Sequence, residues 1–153
     1  MTQFKNAINM KFSNTLIGLA LLLCLNGFAQ KCTISVTVNN FKNNNGTCWV
    51  SLYKTANGFP KDTSKAVKTQ KVTIVDNKVH VDFLNLPTGE YAVAAYHDEN
   101  ADGKLNENFM GKPKEGTGVS KNAFHSFSAP GFDDNKFILE NNEKVNIEIK
   151  LRY

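Results

Sequence analysis

Several things are scarce in this 153-residue chain, and each scarcity excludes something. There is no block of consecutive Lys or Arg, so nothing marks an electrostatic footprint for nucleic acid. No G-x-S-x-G elbow, H-x-H pair or H-E-x-x-H motif occurs, which removes the usual sequence marks of an α/β-hydrolase or a zinc protease. Trp49 is the single tryptophan, too few for an obvious carbohydrate-binding aromatic strip, although Tyr53 and Tyr91 could extend one. No apolar run reaches the roughly 20 residues of a transmembrane helix, so a membrane span is not expected. No internal repeat or low-complexity tract is present, and the length suits one domain.

The apolar residues of the N-terminus are grouped instead as an export signal. Lys5 and Lys11 precede an apolar core from Leu16 to Leu25, and Gly27 and Ala29 place small residues before Gln30. The reading is a cleaved signal over residues 1–29 and a single domain over 30–153, exported to the periplasm or the extracellular space. Cys24 follows Leu23 rather than a small residue, which argues against a lipobox. With Lys5 and Lys11 taken from the 18 basic residues, 16 face 14 acidic ones, so the remaining chain is nearly balanced. Cys32 and Cys48 remain, both in parity with apolar neighbours, and export leads to the expectation of a disulfide between them.

The rest of the chain reads as all-β. Period-two patterns and turn residues suggest strands at 32–39, 47–54, 70–76, 78–85, 89–97 and 144–151, with a weaker one near 135–140. Asn43-Asn44-Asn45-Gly46 is expected to close a first hairpin and Asp76-Asn77 the next. In the last strand Val145, Ile147, Ile149 and Leu151 should face inward and the residues between them outward. About seven short strands with regular turns make an antiparallel β-sandwich, immunoglobulin-like or prealbumin-like. Residues 56–69 read as a loop with one helical turn. Residues 111–134 form a connection long enough to suggest function, with enough aromatics to be ordered.

The chemistry concentrates in Y-A-V-A-A-Y-H-D-E-N-A-D-G-K-L-N-E-N-F, residues 91–109. A buried strand runs into an oxygen-rich loop in which Asp98, Asn100 and Asp102 occupy positions 1, 3 and 5 of a calcium loop, and Gly103 position 6. Lys104 could add its carbonyl, and Asn106 or Glu107 could complete the shell. The bidentate glutamate of position 12 is replaced by Phe109, and no amphipathic helices flank the loop, so this is a calcium-type loop on a strand. A metal-free Asx turn has the same composition and stays open as the alternative.

Over these residues, and over the following G-K-P-K-E-G-x-G-x-S, the chain resembles a bacterial exported family catalogued as domain of unknown function 2141. His97, Asp98, Asn100, Gly103, Leu105, Gly111, Pro113, Glu115, Gly118 and Ser120 match its motif, whereas Asn106 stands where Asp looks commoner. The resemblance implies secretion and a β-sandwich and brings no activity with it. The L-P-x-G-x-Y corner at residues 86–91 is also similar to prealbumin-like surface modules. The expectation is therefore a non-enzymatic, monomeric module whose partner is an unknown protein or carbohydrate at the cell surface. The alternative is a small periplasmic hydrolase or transition-metal-binding protein using His97 and His125, with Glu115 and Ser120 as accessory candidates.

Overall fold

A computed structural model describes residues 32–126 and 128–153. The expected signal segment, 1–29, lies outside them. Eight strands follow in order: β1 (Cys32–Asn39), β2 (Thr47–Tyr53), β3 (Lys68–Val72), β4 (Val79–Leu86), β5 (Gly89–Asp98), β6 (Thr117–Val119), β7 (Phe137–Leu139) and β8 (Lys144–Lys150). Among the described residues one short helix, α1 (Phe132–Asn135), precedes β7, and a 3-10 turn at Thr63–Lys65 is capped by the Asp62 side chain.

The strands form a sandwich of a three-stranded sheet, β4-β1-β8, and a five-stranded sheet, β3-β2-β5-β6, with β7 pairing β5. Between them lies a core of Ile34, Val36, Val38, Val50, Leu52, Val81, Phe83, Val93 and Ile149. These are the residues that period two places on the inner faces. β5 is central. Its first residues pair with β7, its later ones with β6, and its other edge with β2, so from Tyr91 to Asp98 every residue is buried. Among the corners, Tyr91 donates its hydroxyl proton to the carbonyl of Pro87 at 2.8 Å, fastening the turn into β5 in the manner of a tyrosine corner.

Three expectations require correction. β1 and β8 run parallel, joined along their whole length, so the sandwich is not purely antiparallel. Asn43–Gly46 does not close a hairpin, because β1 and β2 belong to different sheets and the segment crosses between them. Asp76 and Asn77 do have the positive φ values of a tight two-residue turn, +51° and +54°, but this turn also spans the sheets, supported by one bridge between Val75 and Lys78.

The expected disulfide is absent from the structure. Cys32 and Cys48 are free, buried thiols. Cys32 pairs with Leu86 at one end of β1, while Cys48 pairs with Val72 and His97 at the end of the sandwich reached by Val38 and Val79. Six residues of strand separate these ends, about 20 Å at 3.3 Å per residue, and a disulfide needs Cα atoms within about 7 Å. As placed here, the two thiols are not positioned to bridge.

Candidate functional site

β5 carries the site because its two faces do different work. Tyr91, Val93 and Ala95 enter the main core. Ala92, Ala94, Tyr96 and Asp98 face the other way, and this outer face is covered by loops. Toward the middle of the strand, Ala92, Ala94 and Tyr53 pack with Val119 and Phe132 in a second apolar cluster, against which Phe59 and Phe124 rest. Tyr53 and Tyr91 are fully buried on opposite faces, so no aromatic strip exists with Trp49.

At the end of β5 the 99–106 loop folds back over Trp49. The indole stacks on Tyr96 at 5.9 Å with an interplanar angle of 5°, and its Nε1–H donates to Asp98 Oδ2 at 3.1 Å. The same oxygen accepts the backbone N–H of Gly103 at 3.0 Å, closing the loop from its first to its sixth position. Gly103 has φ +79°, a conformation that side chains disfavour, which accounts for glycine there. Gly46, at φ +68°, is required for closeness as well: a Cβ on it would lie 1.9 Å from the Asp98 carbonyl oxygen.

Within the loop, Asn100 Oδ1 accepts from Asp102 N–H, and Asp102 Oδ1 accepts from Lys104 N–H. Asp102 Oδ2 also accepts from the amides of Asn100 and Asn106, at 3.1 and 3.0 Å. These bonds, that from Asn106 foremost, hold the Asp102 carboxyl below its ordinary value. The Tyr96 hydroxyl is pushed strongly the other way, first by burial and then by the charges of Asp98, Glu115 and Asp102. The loop therefore gathers Asn100, Asp102 and Asn106 in one hydrogen-bonded cluster, with Asp98 at its base bonded to Gly103.

Glu107 does not join them, since its carboxylate is drawn outward to the Lys61 ammonium. The carboxylate that does complete the loop comes from farther along the chain. Glu115 is buried and accepts the N–H of Glu99 at 3.1 Å on one oxygen and the N–H of Asn106 at 2.9 Å on the other. It clips together both ends of the loop. Glu115 was named from the sequence for another role, whereas Thr47 is a residue that sequence reading missed. It is the cross-strand partner of Asp98, and its hydroxyl and Asp98 Oδ1 are buried oxygens with no hydrogen-bond partner among the described residues. Strand register alone brings them together, so no local signal pointed to Thr47.

The remaining candidates go elsewhere. His97 is fully buried on the core side, its Nε2–H donating to the Asn45 carbonyl at 2.7 Å and its Nδ1 lying 2.8 Å from the Tyr153 hydroxyl, which also accepts Lys42 N–H. His125 is half-exposed and pairs with Asp134 at 2.9 Å. The Ser120 hydroxyl donates to the Asn135 carbonyl at 2.6 Å and accepts Val93 N–H at 3.1 Å. Asn135 in turn uses its whole amide: it accepts from Lys121 and Ala123 and donates to Ala123 and Gly131. Ser120 and Asn135 thus anchor the long 111–134 connection, which contains β6 and most of α1, on the outer face of β5. Among the described residues no group of three His, Cys, Asp or Glu side chains is placed to hold a metal, and no helix is long and apolar enough to cross a membrane.

Residues 36–148 match a family described as an uncharacterized protein conserved in bacteria (DUF2141). Searches of curated proteins and of solved structures found no match.

Proposed function

We propose that this chain, which belongs to the DUF2141 family, is an exported, non-enzymatic β-sandwich binding module whose 98–107 loop takes a hard divalent cation of the calcium type. The observation that carries the reading is Asp98. A fully buried carboxylate has one oxygen satisfied twice and the other not at all. An unpaired buried carboxylate oxygen is costly, and a cation or a water is the group that relieves it. The donor set is oxygen-only and therefore suits calcium better than a transition metal: Asp98, Asn100, Asp102, the Lys104 carbonyl and Asn106, with the Thr47 hydroxyl beside Asp98. Two aspartates and few other charges correspond to weak extracellular-type affinity, with Kd of about 10⁻⁴ to 10⁻³ M. What supports the non-enzymatic part is that His97 and Ser120 commit their polar atoms to backbone and tyrosine partners.

Calorimetry on chelator-treated protein tests this. Calcium should produce heat in the wild type and none in an Asp98→Asn, Asp102→Asn double variant. Chelation should raise amide exchange across 98–116 while β8 stays protected. Absence of calcium heat at millimolar concentration, with unchanged protection after chelation, overturns the cation reading and leaves a self-held Asx turn. Zinc heat that disappears in His97→Ala would favour the transition-metal alternative.

A further inference from the structure

Beyond the cation loop the chain makes a narrow hairpin whose tip is apolar. Glu107 and Pro113 form a bridge at its base. Asn108 builds the turn: its N–H donates to the Lys112 carbonyl at 2.8 Å, and its Oδ1 accepts from both Met110 and Lys112 N–H, at 2.9 and 3.0 Å. Gly111, at φ +73°, returns its N–H to the Asn108 carbonyl. Lys61 braces the outside through Glu107 and the Gly111 carbonyl. The turn is thus fixed by its own bonds, and what it displays is Phe109, 98% exposed, beside Met110, 76% exposed.

The other exposed large apolar side chains, such as Val75, Leu84 and Ile138, are scattered singly, which is ordinary for a soluble surface. Two adjacent ones at the summit of a braced turn are not. The uncompensated charge of the hairpin has one sign. Lys112 and Lys114 are exposed and take part in no ion pair among the described residues, whereas Glu107 is neutralised by Lys61 and Glu115 is buried in the loop clip. An apolar wedge with unpaired lysines beside it complements an anionic lipid surface, where an aromatic side chain enters the acyl boundary and ammonium groups meet the headgroups.

We infer that the 107–113 hairpin is a peripheral lipid-contact tip, with Phe109 and Met110 entering the interface and Lys112 and Lys114 meeting anionic headgroups. The inference does not depend on the cation reading, because no backbone or side-chain bond of the turn uses Asp98 or Asp102. Flotation of the purified protein with phosphatidylglycerol/phosphatidylethanolamine vesicles, against phosphatidylcholine vesicles, tests it. The wild type should float with the anionic vesicles, at 0.5 M salt much less than at 0.05 M (concentrations on the order of those that separate screened from unscreened surface charge). F109S/M110S and K112E/K114E should each weaken binding by about tenfold, with unchanged circular dichroism, since all four side chains are exposed. In an F109W variant brominated lipid should quench added fluorescence that wild-type Trp49 does not lose. No binding by the wild type overturns the inference, as does equal binding by F109S/M110S. Binding that chelator abolishes but F109S/M110S does not also overturns it, by assigning the contact to a bridging cation.

Discussion

Glu115→Ala is the perturbation that isolates how the loop is held. Its carboxylate makes two charge-assisted bonds to backbone N–H groups, one at each end of the 99–106 segment. Each such bond contributes about 1.5–3 kcal/mol, a gross loss of about 3–6 kcal/mol. Glu99 and Asn106 are half-buried rather than sealed, so their freed N–H groups recover part of this from water, leaving about 2–4 kcal/mol. The loss should be local. None of the eight strands depends on these two bonds for pairing, so the loop opens before the sandwich does. Trp49 is a built-in reporter, being the only tryptophan and lying under the loop through Asp98 and Gly103. Amide exchange by mass spectrometry should show faster exchange across 99–116 and little change in β1 and β8, with red-shifted tryptophan emission. Glu115→Gln keeps the shape but turns one acceptor into a donor facing a donor, and should reproduce about half of the effect. Unchanged exchange across 99–116 in Glu115→Ala would refute the clip. A matching loss of protection in β1 and β8 would show that the loop and the sandwich open as one unit.

Two further outcomes follow from the same structure. Cys32 and Cys48 should both be free: denatured, unreduced protein lacking residues 1–29 should take up two alkyl groups by intact mass, and the native protein almost none, because both thiols are buried and burial pushes that of Cys48 up to about 12. Loop order should also depend on pH through Asp102, whose carboxyl is depressed by hydrogen bonds from Asn106, Lys104 and Asn100. A depressed carboxyl contributes its stabilisation fully above the ordinary value of 3.8 and loses it as pH falls through the lower folded value. Amide exchange of Lys104 should therefore be flat from neutrality down to pH 4, once corrected for intrinsic rates, and accelerate below it. Asp102→Asn should abolish that acid limb.

Much of the fold is local information and could be read from the sequence. Strand parity is an i, i+2 property, so the inward set of β8 and the apolar inner face of β5 follow from residue order alone. The D-x-N-x-D-G spacing likewise located the loop, because alternating oxygens and a glycine at the sixth position act within one turn of chain. Boundaries slipped where local signals ran out. β3 begins at Lys68 rather than 70 and ends at Val72, short of Ile74. β6 is a three-residue strand whose Thr-Gly-Val carries no period at all.

Tertiary structure decided what lies across a gap in sequence. Cys32 and Cys48 share an inward parity, yet parity does not say which end of the sandwich each occupies, and the crossover at 40–46 puts them at opposite ends. Parallel pairing of β1 with β8 joins residues more than a hundred positions apart. Thr47 meets Asp98 only through the β2–β5 register, and Glu115 reaches the loop only because His97 N–H and the Gly116 carbonyl, joined at 2.8 Å, bring residue 115 back beside it. Tyr153 closes on His97 in the same way, across 56 residues. The physical reason is common to all of these: a strand's faces are set by its own pleat, but its neighbours are set by the burial and hydrogen bonding of the whole chain.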